Sequence, residues 1–156
     1  MPGLEDLYRE IILDHYRNPR NRGELESPPA QRVEGFNPLC GDEIVVFLEL
    51  DGDKRISDIR IGGQGCSISQ SSASMMSAAV KGRTIEEVGD LTRAFKGMMS
   101  IHESSLGGEA VEPEDLPDVK LGDLEALRGV VKFPVRIKCA TLAWNTLAQA
   151  IDEADA

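Results

Sequence analysis

Three cysteines and one neighbouring carboxylate are the residues of this chain best suited to chemistry. Cys40 lies in Asn37-Pro38-Leu39-Cys40-Gly41-Asp42, Cys66 in Gly62-Gly63-Gln64-Gly65-Cys66-Ser67, and Cys139 in Arg136-Ile137-Lys138-Cys139-Ala140. Glycines beside the first two remove steric cover and let the backbone bend tightly around an ion or an approaching partner. Arg136 and Lys138 set positive charge beside the third, and such charge lowers a thiol's pKa. Three thiolates and Asp42 would complete a four-coordinate zinc site or hold a small iron–sulfur cluster. The carboxylate is harder and more labile than a thiolate, so a nucleophile could displace it.

Spacing by itself says less, because the cysteines are far apart and form no Cys-x2-Cys knuckle. Unlinked cysteines often pack as small hydrophobes, and Asp42 alone would read as a turn acid beside Gly41. The elements that carry them supply the missing link. Cys40 leaves a turn just before a strand, Cys66 falls between a hairpin and the next helix, and Cys139 lies near the start of the last helix. All three can therefore meet at one edge of a sheet. Helix N-termini would add amide donors and positive potential at Cys66 and Cys139. His15, at the end of the first helix, reads as a carbonyl cap or edge-packing residue, and His102 opens a loop. Met75, Met76, Met98 and Met99 read as core filler, and Trp144 as an anchor of the last helix.

Hydrophobic periodicity outlines an α+β fold. Leu4, Tyr8, Ile11, Ile12 and His15 recur at helical spacing, and Asn18-Pro19 stops that helix because proline lacks a donor and restricts the residue before it. A polar connector through Pro28-Pro29 follows. Residues 43–50 and 54–61 alternate as strands around the turn signal Asp51-Gly52-Asp53, and a strand near 31–36 adds a third. A small antiparallel sheet results, with one face needing cover. Helices must supply it. One starts at Ser69 and runs to Gly82, and Thr84 with Glu87 forms a capping box for another carrying Val88, Leu91, Phe95 and Met98. Residues 102–120, with Gly107-Gly108, Pro113, Pro117 and many acids, read as a surface loop. A short helix at 123–128 and a last helix from about 137 to 153 complete a single domain over 1–156.

The chain has 156 residues, enough to bury a core without disulfide staples. A formal charge of −10 argues against a phosphate-binding surface, so no nucleic-acid partner is expected. An odd cysteine count, no secretory signal and no bilayer-length apolar run point away from membranes and to a reducing, cytoplasmic setting.

Several motifs together resemble the U-type scaffold family of iron–sulfur cluster biogenesis, most closely its SufU branch. They are Leu7-Tyr8-Arg9, Asp14-His15-Tyr16-Arg17-Asn18-Pro19-Arg20-Asn21, the Cys40 segment, Gly65-Cys66-Ser67-Ile68-Ser69 with Ser72-Ala73-Ser74-Met75-Met76, and Phe133-Pro134-Val135-Arg136-Ile137-Lys138-Cys139-Ala140-Thr141-Leu142. The resemblance covers nearly the whole chain. It implies a three-stranded antiparallel sheet packed by about five or six helices, with a metal site at the sheet edge. It also implies the ligand set Cys40, Asp42, Cys66 and Cys139. Two features depart from the IscU branch, whose members carry histidine where this chain has Lys138 and a Leu-Pro-Pro-Val-Lys stretch where it reads Lys132-Phe133-Pro134-Val135-Arg136. The longer stretch between Cys66 and Cys139 matches the insertion of SufU relatives.

The activity so implied is that of a zinc-dependent sulfur acceptor, taking persulfide sulfur from a SufS-like cysteine desulfurase and passing it to the downstream assembly machinery. Cys40 is the expected acceptor, released when a ligand from the partner takes its place, with Arg136 and Lys138 stabilising negative charge on sulfur. The alternative is a scaffold that holds a transient [2Fe–2S] cluster on the same four side chains for transfer to apo-proteins.

Overall fold

The computed structural model describes residues 4–27, 29–38, 41–105 and 121–155. Its elements run in the order helix α1 (Leu4–Arg17), strands β1 (Gln31–Asn37), β2 (Asp42–Leu50) and β3 (Ile56–Gln64), helices α2 (Ser67–Val80) and α3 (Ile85–Ser105), a 3-10 helix (Gly122–Lys132), and helix α4 (Pro134–Ala154). The three strands form one antiparallel sheet in the order β1-β2-β3. Five helical elements accompany it among the described residues, as expected for this α+β class.

Alternation along the strands decides which face needs covering. Val33 of β1, Ile44, Val46 and Leu48 of β2, and Ile59 and Ile61 of β3 are all buried. They meet Met76 and Val80 of α2 and Ala143, Trp144 and Leu147 of α4 in one core. Full burial of an Ile or Leu side chain contributes about 1.5–3 kcal/mol, so this inner face dominates the stability of so small a sheet. Helix α4 lies across β1 and β2, and α2 packs against β3. Gly35 makes the α4 contact possible, since a Cβ there would fall 2.0 Å from Thr146 Oγ1. The methionines expected to fill the core are buried, and Trp144 stacks on Phe95 with ring centroids 4.9 Å apart.

The capping box at the head of α3 is present. Thr84 donates its backbone N–H to Glu87 Oε1 at 3.1 Å, and the Glu87 N–H donates to Thr84 Oγ1 at 3.2 Å. The Thr84 backbone N–H first, and then its side chain, hydrogen-bond the exposed Glu87 carboxylate and hold its pKa below the ordinary value of 4.5. A carboxylate with a depressed folded-state pKa adds stability above its unfolded value and loses it as pH falls through the folded one. Thr84→Ala should lower stability by about 1 kcal/mol through loss of the Oγ1 cap acceptor, and because the Thr84 N–H that chiefly lowers the Glu87 pKa remains, urea melts should show most of the gap from wild type persisting below pH 4.5.

Several boundaries differ from the sequence expectation. Helix α3 continues through 102–105, residues assigned above to a loop, while 106–120 lie outside the described residues. Strand β3 starts two positions later than expected because the turn includes Lys54 at φ 60 and closes with the Asp51 N–H donating to Arg55 O at 2.9 Å. Helix α4 begins at Pro134, whose missing N–H costs nothing in the first turn. His15 is no edge residue: it is buried, with Nδ1 2.8 Å from Ser74 Oγ and Nε2 2.9 Å from Asp123 Oδ2. It ties α1 to α2 and to the 3-10 helix, because a buried imidazole must satisfy both ring nitrogens. Among the described residues, no helix is long and apolar enough to cross a membrane.

Candidate metal centre

The centre forms where the end of the sheet meets two helices. Asn37 and Asp42 are register partners that close the β1–β2 hairpin, so Asp42 heads β2 at the sheet edge. Strand β3 ends at Gln64, and the chain turns through Gly65 to Cys66, the N-cap of α2. Capping explains why α2 starts earlier than at Ser69: Cys66 takes an extended backbone, φ −71 and ψ 166, and its sulfur accepts the Ser69 N–H at 3.5 Å. Cys139 arrives from α4, which crosses β1 and β2.

One carboxylate oxygen of Asp42, Cys66 Sγ and Cys139 Sγ all lie within 4.8 Å of one another. Cys66 Sγ is 3.9 Å from Asp42 Oδ2. Tetrahedral zinc, with Zn–S about 2.3 Å and Zn–O about 2.0 Å, sets its ligand atoms roughly 3.5–3.8 Å apart. A contraction of an ångström or less would bring these three onto an ion, so the donor set fits zinc. Two soft sulfurs and one oxygen also suit an iron–sulfur cluster. The fourth expected ligand, Cys40, lies outside the described residues.

Asp42 is wholly buried and still favours its charged form. Burial pushes its carboxyl up, but the Cys66 amide and the side chains of Cys139, Ser69 and Cys66 hydrogen-bond to it and bring it below its ordinary value. The Cys66 N–H donates to Asp42 Oδ1 at 2.9 Å, leaving Oδ2 on the side of the sulfurs. Gly65 makes this close approach possible. A Cβ there would stand 2.5 Å from Asp42 Oδ1 and 2.7 Å from Ser69 Oγ. Gly65→Ala should displace the carboxylate and lower metal retention roughly 10-fold or more, an effect of the size seen when groups orienting a ligand are changed. Equilibrium dialysis against a chelator measures it.

Cys139 is fully buried, whereas Cys66 is half-buried and gives the centre its accessible side. The expected amide donors of a helix N-terminus do not serve Cys139, which stands in the second turn of α4. Instead Asn37 Nδ2 donates to its sulfur at 3.8 Å and Arg136 Nη1 at 4.0 Å. Arg136 thus lies where its charge reaches the Cys139 sulfur. Lys138 is exposed, and no hydrogen bond joins it to Asp42, Cys66 or Cys139. Asn37 and Ser69 were not singled out from the sequence. A polar residue at an inward strand position, matching buried Val33 in phase, was the signal available for Asn37.

Beside the centre an open apolar groove of about 1240 Å³ runs between α1, the 3-10 helix and the start of α4. Ser67 and Arg136 line its near end, and Phe133 and Val135 stand 62% and 58% exposed on its border.

Comparison with known proteins agrees with this architecture. Residues 7–111 match the model of the NifU-like N-terminal domain. The zinc-dependent sulfurtransferase SufU of Bacillus subtilis is 45% identical over 148 residues, covering 95% of this chain and 91% of that protein. The iron–sulfur cluster assembly scaffold protein IscU of Streptococcus pyogenes is 41% identical over 95% of this chain and 84% of its own. A crystal structure from Fervidobacterium islandicum, described as a cluster assembly scaffold for the SUF system, superposes with a TM-score of 0.74 at 33% identity, over 96% of this chain and 99% of that one. With its fold, its sheet-edge donors and relatives matched along nearly its full length, the chain belongs to the NifU-like N-terminal domain family, alongside SufU and IscU.

Proposed function

We propose that this protein is a zinc-dependent sulfur acceptor of iron–sulfur cluster assembly, charged by a cysteine desulfurase of the SufS kind. The observation that carries the reading is the meeting of Asp42, Cys66 and Cys139 within 4.8 Å, drawn from three separate elements. The match to a zinc-dependent sulfurtransferase over 95% of this chain supports it.

Asp42, Cys66 and Cys139 would hold the ion, with Cys40 as the exchangeable fourth ligand. Zinc, when bound, keeps thiolates ionised at neutral pH and braces the glycine-rich rim. Cys40 is the acceptor. Its thiolate attacks the terminal sulfur of the desulfurase persulfide, a new sulfur–sulfur bond forms on Cys40, and the desulfurase cysteine leaves as thiolate. Charge stays balanced, because one thiolate is consumed and another released. Arg136 stabilises the anionic sulfur next to it, and Lys138 adds positive potential from the exposed side. The apolar groove beside Ser67 and Arg136 offers the desulfurase a seat within reach of the centre. Recipients are the downstream assembly machinery or apo-proteins.

A second reading has support of its own. The same side chains would hold a [2Fe–2S] cluster as cargo, with Asp42 as the weak oxygen ligand that favours release, and the IscU relatives are named as scaffolds. Anaerobic reconstitution with iron and sulfide, followed by visible absorption and transfer to an apo-ferredoxin, separates the two. Tight zinc with sulfur uptake and no transferable cluster is the result expected. A stable cluster delivered to the ferredoxin would overturn the acceptor reading in favour of the scaffold.

A further inference from the structure

Asn37 occupies a position that the strand pattern would fill with an apolar residue. It alternates in phase with Val33, is only 6% exposed, and still carries a carboxamide. Burying such a group is costly unless it is hydrogen-bonded. Its Nδ2 donates to Cys139 Sγ at 3.8 Å. Its backbone, meanwhile, pairs with Asp42 and accepts the Gly41 N–H at 2.9 Å, closing the turn whose sequence contains Cys40. One residue is thus bonded to the sulfur from α4 and frames the loop of the proposed acceptor.

We propose that Asn37 is the positioning residue that orients the Cys139 sulfur toward the centre and keeps it there as a retained ligand. An N–H donated to a metal-bound thiolate draws charge off the sulfur, lowering its nucleophilicity and fixing its lone-pair direction. Arg136 adds a second donor at 4.0 Å, and burial closes Cys139 to an incoming persulfide. Cys66 differs: it is half-buried, and its sulfur accepts the Ser69 N–H of its own helix cap. Through Asn37, Cys139 is tied to the same hairpin that presents Asp42, so Asn37 sets the placement of that sulfur against the carboxylate. The inference rests on the metal-centre reading proposed above.

Cobalt in place of zinc gives a direct readout, because sulfur-to-cobalt charge-transfer bands report the electron density on each thiolate. In Asn37→Leu and Asn37→Asp, the first deleting the donor at similar volume and the second replacing it with an acceptor, the band should move to lower energy. Chelator-driven release of cobalt should be roughly 10- to 100-fold faster. In wild-type protein loaded with spin-half cadmium, the Asn37 side-chain amide proton should show scalar coupling to the metal through Cys139 Sγ. That measurement decides the matter even if both variants fail to fold. Absence of the coupling, or bands and release rates matching wild type in folded variants, would overturn the role of Asn37 while leaving the metal centre intact. A wild-type protein that takes up cobalt with no sulfur charge-transfer band would overturn both.

Discussion

Cys40→Ala should reduce sulfur uptake to the level of a reaction without acceptor. With zinc-loaded protein, a cysteine desulfurase and cysteine, wild type should accelerate turnover and gain the mass of added sulfur, and the variant should do neither. The reasoning is chemical. Cys139 is buried and bonded to Asn37 and Arg136, and Cys66 is engaged in capping α2. Neither can replace a lost acceptor without giving up its structural partners. Cys40→Ala should also keep measurable zinc, since Asp42, Cys66 and Cys139 still converge. Loss of transfer with retention of metal is the signature that separates an acceptor from a purely structural ligand. Equal persulfide mass in wild type and variant would remove Cys40 from the role.

Asp42→Ala should have the largest effect on both metal retention and stability. The carboxylate accepts the Cys66 N–H at 2.9 Å in a fully buried position. Alanine leaves that donor without its acceptor, a loss of about 1–3 kcal/mol before any metal is considered. Zinc adds to the difference. A ligand present at 1,000 times its Kd stabilises the folded state by about 4 kcal/mol, and a centre deprived of its oxygen donor forfeits part of that gain. Thermal melts with and without zinc should therefore show a large zinc-dependent rise in Tm for wild type and a small one for Asp42→Ala. Asp42→Asn should fall between them, because its carbonyl oxygen can still accept the Cys66 N–H while lacking the charge that attracts the ion. If Asp42→Ala keeps the wild-type zinc response, Asp42 is a turn residue and a different group completes the centre in its place.

Local chemistry made much of this architecture legible in the sequence. Asn18-Pro19 ended α1 because proline restricts the backbone before it, and Thr84 with Glu87 opened α3 because two orphan amides find their acceptors within one turn. The run of β-formers from Ile44 to Leu48 announced a strand. Boundaries failed where distant partners decided them. Cys66 caps α2 although cysteine is a weak signal for a cap, and the 3-10 helix runs through Lys132 where a shorter helix was expected.

At the centre, residue type and flanking motif were enough to nominate Cys40, Asp42, Cys66 and Cys139, because thiolate and carboxylate chemistry is a property of the side chains themselves. Which groups surround them is a property of the fold. Nothing local to His15 names Ser74 or Asp123 as its partners, and nothing local to Asn37 points to a sulfur more than a hundred positions away. The first contacts exist because α1 packs against α2 and the 3-10 helix, and the second because α4 lies across β1 and β2, an approach that Gly35 permits by having no side chain. The chain's own chemistry thus determined which atoms could bind a metal, and only long-range packing decided which sulfur is buried, which is half-open, and which residue holds each in place.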